Sequence, residues 1–391
     1  MSRKKILFVT SRFPWPLDKG DKLRAYHQLK FFSKYADVYL FSVNDMKSPV
    51  ILPDEIKTIC KEITIARLTI FSVLLNLLRS VFSSNPFQVG YFYNQRIKRQ
   101  FETFADKTKP DFIFAQLIRT APIVMTRRER KILDYMDVFS KGIERRMRTE
   151  PFYLKPLFKC EQRRLVHYEA KVFDWFDAST IISNQDKNLI QHVQRDEIIV
   201  VPNGVDLDFF YPAQGIKSFE ILFNGNMNYP PNIEAAEYLC KKVLPIVHQK
   251  KPNVKVLISG TSPSARVLNL VSNKVVVSGY VPDVRVNFSK CMMLVAPMQS
   301  SIGLQNKLLE AMAMGIPCIT STLANNALQA EDGTEIFVAD TPEAFAEKII
   351  KLLENKTLSD LLSANGLKFV RKKYSWDSAN QKLLSICKLN E

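Results

Sequence analysis

The chain of 391 residues has no paired cysteines. Its six cysteines, at 60, 160, 240, 291, 318 and 387, are scattered with no CxxC spacing and no Cys/His cluster. That excludes a disulfide scaffold and a cysteine-based zinc site, and suits buried reduced thiols in a cytosolic protein. Histidine is scarce: His27, His167, His192 and His248 lie far apart. No apolar run reaches the ~18 residues of a membrane span. The opening MSRKKILFVTS holds only four consecutive apolar residues, too few for a secretion signal, so Ile6–Val9 reads as a first strand. Glycine and proline are modest, at 12 and 20, and there is no internal repeat and no low-complexity linker.

A hydrophobic content of 46% over this length is enough for two ordinary cores. The net charge is +16 and lies mainly in the first half: residues 1–216 carry 35 basic and 24 acidic groups, against 20 and 15 in the remainder. Such a surface suits phosphorylated substrates, an anionic membrane or nucleic acid. No aromatic RNP-like motif, zinc knuckle or GXXG clamp supports the last, so no nucleic acid is expected. Short runs rich in β-branched and aromatic residues recur at 6–10, 38–43, 112–117 and 179–183, alternating with helical patterns. After Pro202 the alternation restarts with runs at 220–225, 254–260, 274–279 and 291–297. This is the pattern of α/β, doubly wound parallel sheets.

Two apolar segments invite closer reading. Residues 68–84 form an apolar patch of helix length with Arg67 and Arg79 near its ends, read as a buried helix or subdomain contact or, alternatively, an amphipathic helix in a membrane interface. Basic residues follow at Arg127, Arg128, Arg130, Lys131 and then Arg145, Arg146 and Arg148, a composition that would hold an enzyme on the anionic inner leaflet. The other segment is Asn306–Ser321. A buried strand ending at Pro297 precedes a small loop with Gly303, then a helix from about Leu304 to Met314 that stops at Gly315. Leu308, Leu309, Ala311, Met312 and Ala313 make that helix apolar nearly all round, yet Glu310 sits in its middle with Lys307 one turn earlier. A buried carboxylate needs a partner. Two readings stand: a Lys307–Glu310 structural pair, or a ligand site at the carboxyl end of a parallel strand.

The segment LLEAMAMGIP resembles the donor-binding helix of retaining glycosyltransferases of family 4, which have the GT-B fold. VPNGVDLDFF (201–210) is similar to the joint between their two domains, and ILFNGNMNYPPN (221–232) to the opening strand and loop of the second. SGYVPD (278–283) and YSW (374–376) follow in the family's order. KGDKLR (19–24) and LDYMDVFS (133–140) resemble a subgroup of sugar transferases associated with exosortase-linked exopolysaccharide clusters.

The resemblance implies two Rossmann-like domains facing a cleft. These are an acceptor-binding domain at 1–200, a linker at 201–216, a nucleotide-sugar domain at 217–374, and a tail helix at 375–391 returning to the first domain. It implies retaining transfer of a sugar from a nucleotide-diphosphate sugar to a glycan or lipid-linked acceptor in surface polysaccharide assembly; no DxD-type metal site stands in the expected place, so transfer without a cofactor or metal is expected. Donor binding falls to Gly303, Leu304, Asn306, Lys307 and Glu310, with Gly225 and Asn226; Glu310 takes the ribose hydroxyls and Lys307 the phosphates. Gly20, Asp21, Lys22 and Arg24 form the acceptor and diphosphate loop, and Asp134 and Asp137 are acceptor candidates. His27 is a candidate base or a packing residue. Two departures stand out: Ile302 occupies the place of a second glutamate, and the usual Arg and Lys after the second domain's first strand are missing. A nucleotide-sugar 2-epimerase of the same architecture is the alternative. The expected location is cytoplasmic, on the inner face of the membrane.

Overall fold

The computed structural model describes residues 3–44, 52–147, 150–213, 215–300 and 303–389. It divides into two compact units, Met1–Pro202 with Asn380–Glu391, and Asn203–Ala379.

The first unit holds seven parallel strands in the order β3-β2-β1-β4-β5-β6-β7. They are β1 (Lys5–Thr10), β2 (Asp37–Asn44), β3 (Cys60–Arg67), β4 (Phe112–Gln116), β5 (Arg130–Asp134), β6 (Ala178–Ile181) and β7 (Ile199–Val200). A parallel sheet covered on both faces demands continuous apolar runs, and β1 and β4 meet that demand: Ile6 to Val9 and Phe112 to Ala115 are all buried. Helix Gly20–Ser33 follows β1 and packs Leu29 and Phe32 under the sheet, Phe32 meeting Phe114 edge to face at 5.2 Å. Leu383, Leu384, Ile386 and Cys387, from the end of helix Trp376–Ile386 and the residue beyond it, complete the same core layer.

The second unit has six parallel strands ordered β10-β9-β8-β11-β12-β13. They are β8 (Phe219–Asn224), β9 (Val256–Ser259), β10 (Val275–Gly279), β11 (Cys291–Ala296), β12 (Cys318–Thr320) and β13 (Phe337–Val338). β10 lies at an edge and alternates buried with exposed residues, whereas β9 in the interior is buried throughout. The sheet order reverses between β8 and β11, so loops after these neighbouring strands open the crevice where such sheets take ligands.

One sequence expectation is corrected here. The apolar patch at 68–84 folds as helix Ile70–Val81 and is not buried: Phe71 is 78% exposed and Leu78 59%. The basic cluster at 127–131 is also not free. Arg127 pairs with Glu102, Asp106 and Glu129, Arg130 donates to the Ile386 carbonyl at 3.1 Å, and Lys131 to the Arg127 carbonyl at 2.7 Å. Arg148 and Ile302 lie outside the described residues.

Candidate active site

Helix Asn306–Ala313 begins two residues later than its pattern predicts and buries Leu308, Leu309, Ala311, Met312 and Ala313. Lys307 is drawn inward with them. Its Nζ donates to Asn232 Oδ1 at 2.6 Å, lies 3.7 Å from Met298 Sδ, and sits 4.6 Å from the centre of the Phe223 ring. Asn232 in turn donates through Nδ2 to the Asn226 carbonyl at 3.0 Å. Gly225 makes this approach possible, since a Cβ there would stand 2.7 Å from Asn232 Nδ2. Lys307, Asn232, Asn226 and Gly225 therefore form one connected group at the carboxyl ends of β8 and β11.

Glu310 is different. It is half-buried, and among the described residues its carboxylate has no hydrogen bond and no ion pair. The Lys307–Glu310 structural pair is not formed; Lys307 bonds Asn232 instead. Burial pushes the Lys307 ammonium down to about 7 and the Glu310 carboxyl up to about 7, each shift opposed by the other's charge. Asn306 accepts from Asn203 Nδ2 at 3.4 Å, Leu304 packs against the core, and the Gly303 carbonyl accepts from Gln305 Nε2 at 2.8 Å. The Gln305 side chain does not cap the helix. Nearby, Ser300 Oγ donates to Glu234 Oε2 at 2.6 Å.

In the first unit the candidates separate into two groups. Arg24 and Asp134 are fully buried and face each other as a fork: Nε to Oδ2 at 2.6 Å and Nη2 to Oδ1 at 3.1 Å. Gln28 Nε2 and Thr180 Oγ1 each add a bond to Asp134 at 3.0 Å, and the Arg24 fork also reaches the Val201 and Pro202 carbonyls. The expectation that these two residues touch diphosphate or acceptor is corrected: their polar atoms are occupied, and they pin β5, β6 and the chain after β7 to helix Gly20–Ser33. Lys22 is nearly buried and bonds Asp18 at 2.8 Å. Asp21 accepts from Arg12 at 3.2 Å, Gly20 is exposed at the helix start, and Asp137 is exposed beyond β5. His27 is buried and packs edge-on against Tyr26 at 5.1 Å. Among the described residues no group of three or more His, Cys, Asp or Glu side chains is placed to hold a metal ion.

Residues 218–355 match the family described as glycosyl transferases group 1. An uncharacterized 44.6 kDa protein in the cps region of Klebsiella pneumoniae is 20% identical over 395 residues, 95% of this chain and 96% of that one. Among solved structures, sucrose-phosphate synthase from Thermosynechococcus elongatus superposes with a TM-score of 0.71 at 13% identity, over 99% of this chain and 98% of that one. Anabaena HepE in complex with UDP and glucose gives 0.69 at 12% identity, over 98% and 99%. Residues 218–355 thus carry a glycosyl transferases group 1 domain, and the chain has the fold of these solved structures.

Landmarks that lie far apart in sequence meet in space. Gly204 presses flat on Trp376, where a Cβ would stand 2.6 Å from the Trp376 Cα, and Val205 N donates to the Tyr374 carbonyl at 2.7 Å. The PNGVD and YSW segments are thus two sides of one joint within the second unit. SGYVPD closes another: Asp283 holds Arg285 at 2.7 Å, and the guanidinium lies 4.1 Å over Phe209. Asn232, which holds Lys307, was not singled out in the sequence. Its signal was its place in the first turn of helix Pro230–Tyr238 after β8, seven residues beyond Gly225.

Proposed function

We propose that this protein is a glycosyltransferase that moves a sugar from a nucleotide-diphosphate sugar to an acceptor hydroxyl, with retention and without a metal, during surface polysaccharide assembly. One observation carries the reading: Glu310 is a half-buried carboxylate with no hydrogen bond or ion pair among the described residues, one helical turn from a buried Lys307. Ribose hydroxyls are the donors such a carboxylate lacks, and a diphosphate is the anion that would return a charge to Lys307. Asn232 holds the lysine in place meanwhile. The K. pneumoniae relative is described from a cps region, and HepE was solved with UDP and glucose, which supports a UDP-type donor and a polysaccharide setting. The acceptor is a glycan or lipid-linked glycan reached from the cytoplasmic side. With no metal, the leaving diphosphate is neutralised by Lys307 and by helix-terminal N–H groups.

A thermal-shift screen against UDP-, GDP- and dTDP-sugars tests the donor class, because a true donor stabilises the fold by mass action. EDTA should leave the shift and the turnover unchanged. No shift with any of the donors sinks the reading. Appearance of a 2-epimer by NMR from UDP-N-acetylglucosamine alone would replace transfer by isomerisation.

A further inference from the structure

Helix Ile70–Val81 is inside out. The residues it buries are polar, Asn76 and Ser80, while Ile70, Phe71, Leu74 and Leu78 face solvent and Phe82 just beyond is 89% exposed. It is not free to roll over. Ser80 lies so close to helix Phe87–Phe92 that a Cβ on Gly90 would stand 1.9 Å from Ser80 Oγ. Arg164 donates to the Ser80 carbonyl at 2.7 Å and to Asn85 O at 3.3 Å, tying the helix end to helix Lys155–Phe173. Glu161 on the same helix accepts from Phe87 N at 2.8 Å and Gln88 N at 3.0 Å. The apolar face is therefore held outward by fixed bonds on the inward side.

A second apolar edge lies beside it. Phe152 is 82% exposed and Tyr153 67%, just before helix Lys155–Phe173. Between the two edges runs a groove of about 590 Å³ lined by Leu74, Leu78, Val81, Ile143, Leu157 and Phe158. A contiguous apolar surface of this kind marks a partner. The charge around it identifies which. The described residues of 67–93 and 141–164 carry nine basic and three acidic side chains. Of the acids, Glu161 is buried on backbone N–H groups, and Glu144 and Glu150 pair with Lys141 and Arg146. Arg67, Arg79, Lys155, Lys159 and Arg163 remain at the surface. A second copy would bring the same positive rim against itself, whereas aliphatic and aromatic side chains ringed by arginine and lysine fit an anionic bilayer.

We infer that helix Ile70–Val81 and the edge at 152–157 dock on an anionic lipid membrane. The apolar side chains enter the boundary between headgroups and acyl chains, the groove takes an acyl chain, and the basic residues sit on lipid phosphates. This stands whether or not Glu310 binds a nucleotide.

The test is sedimentation of the full chain with sucrose-loaded vesicles. Binding to equimolar phosphatidylglycerol and phosphatidylcholine should exceed binding to phosphatidylcholine alone by about tenfold, and fall similarly in about 0.5 M NaCl. Leu74→Asp with Leu78→Asp should lower binding about tenfold or more while thermal unfolding and nucleotide-sugar binding hold. Lys155→Glu with Lys159→Glu, exposed and outside the core, should weaken it in the same direction. Equal partition of wild type and both variants overturns the inference. So does a dimer, seen by light scattering without lipid, that Leu74→Asp with Leu78→Asp dissolves. Loss of nucleotide binding in the wild type would instead sink the proposed function and leave this result untouched.

Discussion

Glu310→Gln should make the protein more stable and less able to bind its donor. Burial raises the Glu310 carboxyl from 4.5 to about 7. A rise of that size corresponds to roughly 3 kcal/mol against the ionised form, which partial exposure reduces to about 2 kcal/mol. On a domain of this size that is about 4–8 °C in Tm. The sign follows from proton uptake. A carboxyl whose folded pKa lies above its unfolded value favours folding while protonated, and that stability is lost as pH rises from about 4.5 through about 7. The gain of Glu310→Gln over wild type should therefore be near zero at about pH 4.5 and greatest at about pH 8. Lys307 does not reverse this, since burial has brought it down to about 7 and it is mostly neutral at the upper end. Calorimetric titration with the donor found by the thermal-shift screen supplies the other half. Losing one acceptor oxygen, and the charge that strengthens the bond to the other, should weaken binding by about 2–4 kcal/mol, roughly 30- to 1000-fold. A lower Tm at pH 8, or unchanged donor affinity, would refute the reasoning.

The other predictions are briefer. Lys307→Met should weaken nucleotide-diphosphate binding about tenfold to hundredfold. In the wild type, affinity should decline as pH rises above about 7, where Lys307 loses its proton, and titrations at stepped pH should show no such decline in Lys307→Met. Arg24→Ala should destabilise the first unit by about 3–5 kcal/mol in urea unfolding, because it leaves Asp134 buried without its cation. A stable Arg24→Ala protein that lost only activity would return Arg24 to the ligand. Gly260→Ala should prevent folding of the second unit, since its Cβ would stand 1.6 Å from the Gly225 carbonyl oxygen at a φ of +136°; a soluble variant with an unchanged circular dichroism spectrum would contradict that geometry.

What could be read in advance follows the physics of each element. Interior parallel strands are buried on both faces, so β1, β4, β9 and β11 announce themselves as unbroken apolar runs. β3, CKEITIAR, lies at a sheet edge and mixes charges into its run, and β12 and β13 span only three and two residues. Those were not legible. Helix Asn306–Ala313 was, because a glycine stop and a preceding strand bracket it. Arg24 and Asp134 were misread for a different reason. A charge near a glycine-bearing loop looks the same in sequence whether it meets a ligand or a carboxylate 110 residues away. The orientation of helix Ile70–Val81 was equally hidden: periodicity reveals that a helix has an apolar face, not which way the rest of the fold turns it.

Burial and perturbed protonation alone would point to several places in this chain. Burial also pushes Glu169 up to about 7, yet that carboxylate accepts from Ser140 N at 2.9 Å and Ser140 Oγ at 2.6 Å, and its neighbourhood is complete. Asp134 is fully buried with Arg24, Gln28 and Thr180 all directed at it. Such groups hold the fold together, and nothing further is needed to explain them. Glu310 and helix Ile70–Val81 share the opposite property. Among the described residues, one is a carboxylate without donors and the other an apolar face without cover, each held in position by well-bonded neighbours. Both are best understood through what binds there: hydroxyls at the first, lipid at the second. The missing partner, more than the shifted pKa, separates a site from a strut.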